Sequence, residues 1–205
     1  MTLYSYIVKH DTGFAPNPFY GYCTLACCKP DIRRTAHLED WVVGLTPKAI
    51  GNRIVYFMKV DEILGFAEYW RDKRFKMKVP EYGSDVKKKC GDNIYEPLPD
   101  GGYRQHQSTH SNGPREDPKT KAKDLRGERV LISETFAYFG SKALELPPEL
   151  LPLRVQRFHR CRFSDDVKAA LLDFVGSVRF GVHGSPRTWP DEGDKSCVRS
   201  SGCKE

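Results

Sequence analysis

The chain has 205 residues, of which 39% are hydrophobic and 29% charged. That length suits one domain with a real core, and that balance argues against general disorder; no apolar run approaches the ~18 residues needed to span a bilayer. A net charge of +6 and a pI near 8.9 favour an anionic partner such as nucleic acid, a nucleotide or phosphate.

Leu3 to Lys9 alternates, with Leu3, Ser5 and Ile7 on one face and Tyr4, Tyr6 and Val8 on the other, which predicts a first strand inside a sheet. Asp11 to Tyr22 (DTGFAPNPFYGY) carries two prolines and two glycines among aromatics, so it reads as a structured loop. Trp41 to Gly44 and Arg53 to Val60 read as strands. Phe66, Tyr69 and Trp70 at i, i+3 and i+4 predict a short helix packed on the sheet, ending within Arg71 to Phe75. From Arg71 to Lys89 eight basic residues face three acidic ones, the footprint of a phosphate contact or of a solvated loop.

Asp100-Gly101-Gly102 predicts a turn between Ile94-Tyr95 and Tyr103 to Gln107. Ser108 to Glu128 reads as a long polar loop. Val130 to Phe139 offers one or two strands, Pro147-Pro148 forbids a continuing helix, and Arg154 to Phe163 is a candidate last strand. Ser164 caps an expected helix whose apolar face is Val167, Leu171, Phe174, Val175 and Val178. The fold class expected is α+β, a strongly curved mixed sheet or small barrel flanked by two or three helices. One domain over 1–186 is expected, with 187–205 a disordered tail.

The seven cysteines are odd in number and Cys27 and Cys28 are adjacent, which fits reduced thiols better than a disulfide framework. The opening Met1-Thr2-Leu3-Tyr4 lacks the basic region and cleavage site of a leader, so the expected setting is the cytoplasm.

Chemistry concentrates between Gly13 and Arg34, where Cys23, Cys27 and Cys28 lie among Lys29, Arg33 and Arg34. Positive charge favours a thiolate, and Cys23, just after the aromatic loop, is the expected nucleophile; buried packing is its plain alternative. Cys27 and Cys28 could point in opposite directions, and at least one should be buried as a small hydrophobe. A zinc site drawing on Cys23, Cys27, Cys28, Cys90 and a histidine is disfavoured because the C-x3-C-C spacing lacks paired knuckles, so no metal ligand is assigned. The residues specify no cofactor.

His110 is the expected acid–base group, oriented by Asp124, although a polar loop also places histidines at the surface for no chemical reason. In CGDNIY, Asp92 and Asn93 could read a base edge and Tyr95 could stack on it, yet Asp-Asn is equally good turn chemistry. Phe14, Asn17 and Phe19 would line the site, Lys29, Arg33 and Arg34 would hold phosphate, and His183 in GVHGSP is a further ligand contact or a mere turn.

Six segments, LYSYIVKHDTGFAPNPFYGYCTLACCKPDIRR, EDWVVG, RIVYFMKV with FAEYWRDKRF, CGDNIY, RVLISETFAYFG and GVHGSP, resemble nucleotide modification associated domain 2 (Nmad2), a family linked to DNA base modification. The resemblance implies a nucleic acid or nucleotide partner, and other DNA-modification proteins beside it. EDWVVG and RIVYFMKV are also similar to PUA-like barrels, whose members read RNA or modified bases. Three functions stay open: a thiol-dependent base- or nucleotide-modifying enzyme, a non-catalytic reader of a modified base, and a structural partner of modifying enzymes.

Overall fold

Alternation along β1 (Leu3–Ile7) sends Tyr4 and Tyr6 into one apolar layer and Leu3 into another, so the strand is buried on both faces. The computed structural model describes residues 1–189, and β1 sits inside a six-stranded sheet as expected. It runs parallel to β3 (Trp41–Leu45) and antiparallel to β10 (His159–Arg160). Beyond β3 come β4 (Ile54–Lys59), β9 (Phe136–Tyr138) and, at the edge, β11 (Gly181–Val182). Gly44 in β3 is required by packing: a Cβ there would lie 2.3 Å from the Tyr56 ring of β4.

A second sheet joins β2 (Cys23–Leu25), β8 (Arg129–Ser133) and β5 (Glu62–Gly65), all antiparallel. Cys23, Leu25 and Leu131 of this sheet pack against Tyr4, Tyr6, Val42, Tyr56 and Met58 of the first. Val130 and Ile132 point the other way, onto α2 (Phe66–Arg71) and the hairpin of β6 (Tyr95–Pro97) and β7 (Tyr103–Gln105). On the far side of the large sheet, Val167, Leu171 and Val175 of α5 (Asp165–Gly176) complete the stack with Leu150 and Leu153. Four layers result, with three apolar seams between them.

The sheets do not close on one another among the described residues, so the small barrel expected from the sequence is replaced by open, stacked sheets. Five α-helices occur there instead of two or three. Two of the additional ones are α1 (Pro30–Thr35) and α3 (Val86–Lys89). A third, α4 (Pro118–Leu125), falls within the stretch expected to be a long loop. It has almost no apolar face and is held by its start: the Asp117 side chain accepts from the backbone N–H groups of Lys119 and Thr120, each at 3.0 Å, with Pro118 in the first turn. The expected last strand shrinks to His159–Arg160.

Residues 187–189, placed in the tail by sequence, are bound to the body. Arg187 N–H donates to Asp11 Oδ2, Thr188 N–H to the Asp11 carbonyl, and Trp189 Nε1 to the Thr12 carbonyl. The rest of the expected tail, 190–205, lies outside the described residues.

Candidate active site

Between β2 and α1 the chain turns sharply. Cys28 and Lys29 both adopt left-handed backbone angles, with φ of 61° and 39°. Pro30, at the helix start, disfavours the right-handed helical region for Lys29, so the turn is made before the helix begins. Two consecutive non-glycine residues in this region cost on the order of 1–3 kcal/mol each, and such strain persists only where the surroundings dictate it. Here Asp124 and Arg33 dictate it: Cys28 N–H donates to Asp124 Oδ1 at 2.8 Å, and the Cys28 carbonyl accepts from Arg33 Nε at 2.8 Å.

The turn presents the half-buried Cys28 thiol to His110, with Sγ 3.3 Å from Nε2. On the other side of the imidazole, Nδ1 lies 2.5 Å from Asp124 Oδ2, which also accepts from the Tyr95 hydroxyl at 2.9 Å. Gln105 Nε2 donates to the His110 carbonyl at 3.0 Å, and Phe14 packs edge-on against the imidazole, 4.8 Å between centroids. Burial acts to raise the Asp124 pKa. The hydrogen bond and charge of His110, the charge of Arg33 and the Cys28 N–H outweigh it and hold the carboxyl below its usual range. An ionised Asp124 accepts from Nδ1–H, and whenever the imidazole so held is neutral Nε2 is the nitrogen left to accept from the thiol.

Arg33, expected at a phosphate, is fully buried. Its guanidinium bridges the carbonyls of Cys28, Arg129 and Asp124, tying α1 to β8 and to the end of α4. Gly127 leaves it room, since a Cβ there would lie 2.4 Å from the guanidinium carbon.

Cys23, the expected nucleophile, is sealed between the sheets. The strand period that buries Leu25 buries Cys23 with it, and desolvation drives its thiol pKa well up despite Lys78 nearby. On the opposite face of β2, Thr24 donates to Asp92 Oδ2 at 2.6 Å, and Tyr69 donates to Asp92 Oδ1 at 2.8 Å. Asn17 and Asn93 are also interior. Asn17 Oδ1 accepts from Lys78 Nζ at 2.7 Å, and Asn93 Nδ2 donates to the Tyr69 and Phe75 carbonyls. These polar groups knot loops together and present no base-reading edge. Tyr95, expected to stack on a base, is buried and holds Asp124.

Phe19 is buried and stacks on Trp189, 5.4 Å between centroids. Lys29 Nζ lies 4.8 Å over the Tyr6 ring, and the exposed Arg34 is 3.8 Å from Asp31. His183 stacks on Phe139, and its Nε2 is 2.7 Å from the Arg179 carbonyl, away from Cys28. Of the residues singled out by sequence, His110, Asp124, Phe14 and Tyr95 meet in one place. Cys28, rather than the expected Cys23, meets the imidazole; its place two residues before a proline-started helix is the signal the sequence carries for it.

Cys27, His110 and Asp124 each offer a ligand atom within 4.8 Å of the others. Burial, then the Asp124 and Asp92 carboxylates, push the Cys27 thiol well up, and the Asp124 oxygens already accept from Cys28 N–H and the Tyr95 hydroxyl.

A layered α+β frame thus carries a cysteine, a histidine and an aspartate in hydrogen-bonded sequence. The family model for nucleotide modification associated domain 2 matches residues 1–193, and the chain belongs to that family. No curated protein and no solved structure matches it. Among the described residues no helix is long and apolar enough to cross a membrane.

Proposed function

We propose that the protein is a thiol-dependent enzyme acting on a nucleic-acid base or nucleotide within a DNA-modification system, with Cys28 as nucleophile, His110 as acid–base and Asp124 as orienting group. The contact of Cys28 Sγ with His110 Nε2 at 3.3 Å, backed by Asp124 on Nδ1, carries this reading. The Cys28 thiol passes its proton to Nε2, and Asp124 steadies the imidazolium. The thiolate then forms a bond to an electron-poor ring carbon of the base. The displaced electron pair settles on a ring heteroatom, which takes the proton from Nε2. In the reverse step the C–S bond breaks, its electron pair leaves with sulfur, the ring double bond re-forms and the proton returns through Nε2 to the thiol, so the adduct activates the ring without consuming Cys28.

Lys29 and Arg34, on the same turn and helix, supply positive charge for phosphate, and Phe14 keeps water from the imidazole. None of the five cysteines among the described residues is in a disulfide, which fits a reducing cytoplasm. A reader of modified bases needs no thiol held against an imidazole, so the enzyme is the preferred reading.

Two measurements test it. Brief treatment with iodoacetamide at neutral pH, followed by peptide mapping, labels Cys28 at least about tenfold faster than Cys23 or Cys27. Nucleosides from cells expressing the wild type then contain a modified species that disappears with Cys28→Ala and persists with Cys23→Ala. Loss of that species with Cys23→Ala in a folded protein, together with its survival in Cys28→Ala, would refute the assignment.

A further inference from the structure

Away from Cys28, an open groove of about 460 Å³ runs between the proline-rich loop and the edge of the large sheet. One wall is Pro18, Phe19, Tyr20 and Gly21; the other is Glu134, Phe136, Phe180, Gly181 and Val182, with Lys87 at the rim. Phe180 and Val182 are 46% and 49% exposed; one edge of Phe180 meets the Phe57 ring at 6.5 Å, and the rest of both side chains leaves a large apolar area in solvent. Val182 belongs to β11, the edge strand, which has no neighbour on its outer side among the described residues.

The cations are organised around the rings. Lys87 Nζ lies 4.7 Å from the Tyr20 centroid and 5.2 Å from that of Phe19, and Lys88 Nζ lies 5.9 Å from Tyr20. Two lysines of α3 thus stand beside an aromatic wall whose lining offers one carboxylate, Glu134, while Lys88 Nζ also lies 4.0 Å from Glu81.

We propose that this groove binds an unpaired nucleic-acid strand, a base stacking between Tyr20 and Phe180 while its phosphates draw the α3 lysines off the rings. Three physical points favour that occupant. Every base has a π-face for an aromatic shelf, but a duplex hides those faces inside its stack. Clustered lysines match a repeating phosphate rather than a single anion. The Glu134 carboxylate and the outer backbone edge of β11 offer acceptors and donors to base amines and sugar hydroxyls, which an apolar peptide would leave unused.

The site is separate from the thiol chemistry, and the test keeps them apart. Binding of a short fluorescent DNA oligonucleotide is followed by anisotropy at about 50 mM salt and again at higher salt. The single strand is expected to bind at least about tenfold tighter than the same sequence as a duplex, and far tighter than dTMP alone. Phe180→Ala removes a half-exposed ring that also meets the buried Phe57 edge-on at 6.5 Å, so thermal unfolding is followed alongside, and it weakens binding by about five- to a hundredfold. Lys87→Gln weakens it and lowers the salt slope by about one ion. Cys28→Ser binds the strand as the wild type does, and Phe180→Ala keeps the alkylation rate of Cys28. Equal binding of strand and duplex, equal binding of dTMP, or no effect of Phe180→Ala would each overturn the proposal without touching the thiol assignment.

Discussion

Two parts of this molecule each combine a thiol, a cationic side chain or imidazole, and a carboxylate, and they have opposite chemistry. In one, Cys23, Lys78 and Asp92 are essentially without solvent, at 0%, 0% and 1% exposure. Lys78 Nζ donates to the Asn17 carbonyl, Asn17 Oδ1 and the Tyr22 carbonyl, and Asp92 accepts from Thr24 and Tyr69. Desolvation dominates there: it lowers the lysine to about 8, raises the aspartate and raises the thiol. In the other, the Cys28 thiol is half-buried with a proton acceptor at hydrogen-bond distance, and Asp124 stays ionised in the interior because His110, Arg33 and a backbone N–H face it. Proximity to positive charge does not make a nucleophile when the thiol is sealed in hydrocarbon; a reachable base and a route to solvent do.

The largest expected effect comes from breaking the sealed group. Lys78→Met strands three buried oxygen acceptors and removes the positive charge that acts on Asp92, and is expected to cost about 3–5 kcal/mol in urea denaturation. A loss under about 1 kcal/mol would mean that those oxygens do not depend on Lys78. The same residue sets a pH signature. Its folded pKa lies below its unfolded value, so burial of the charged lysine penalises folding in full below about pH 8, and the penalty is relieved as pH rises from 8 towards 10.5. The stability of the wild type relative to Lys78→Met should therefore rise over that window, by up to roughly 3 kcal/mol. A flat or falling difference contradicts the assignment.

Trp189→Ala sharpens the comparison, because Trp189 clamps the loop that supplies Asn17 to the sealed group and Phe14 to the imidazole. It is expected to cost about 2 kcal/mol in thermal unfolding and to slow Cys28 labelling at the same time. The smallest effect tests the orienting role. In Asp124→Asn an amide can donate to Nδ1, which moves the imidazole proton to Nε2 and removes the acceptor facing Cys28. Labelling of Cys28 at pH 7 should fall about tenfold with the fold retained; an unchanged rate would leave Asp124 a purely structural partner of the turn.

Much of the frame was legible in residue order. The alternation of β1, the β-rich run of β4, the Gly101-Gly102 hairpin and the apolar stripe of α5 all follow from side-chain periods of two or 3.6. α4 was not legible as a helix because PKTKAKDL carries almost no apolar stripe; its cap at Asp117 and the burial of Asp124 hold it instead. The site divides in the same way. His110 and Asp124 stand 14 positions apart in one polar stretch, close enough to suggest a pair, whereas Cys28 and His110 are separated by 82 positions.

Local sequence thus determined the strands, the hairpin, the long C-terminal helix and the stock of thiols, cations and carboxylates, because each depends on neighbours a few residues away. Tertiary structure alone decided which thiol meets the imidazole, which arginine is spent on carbonyls and which asparagines are locked inside. Those outcomes depend on how two sheets stack, and stacking sets desolvation and distance, the two quantities that govern ionisation and reactivity.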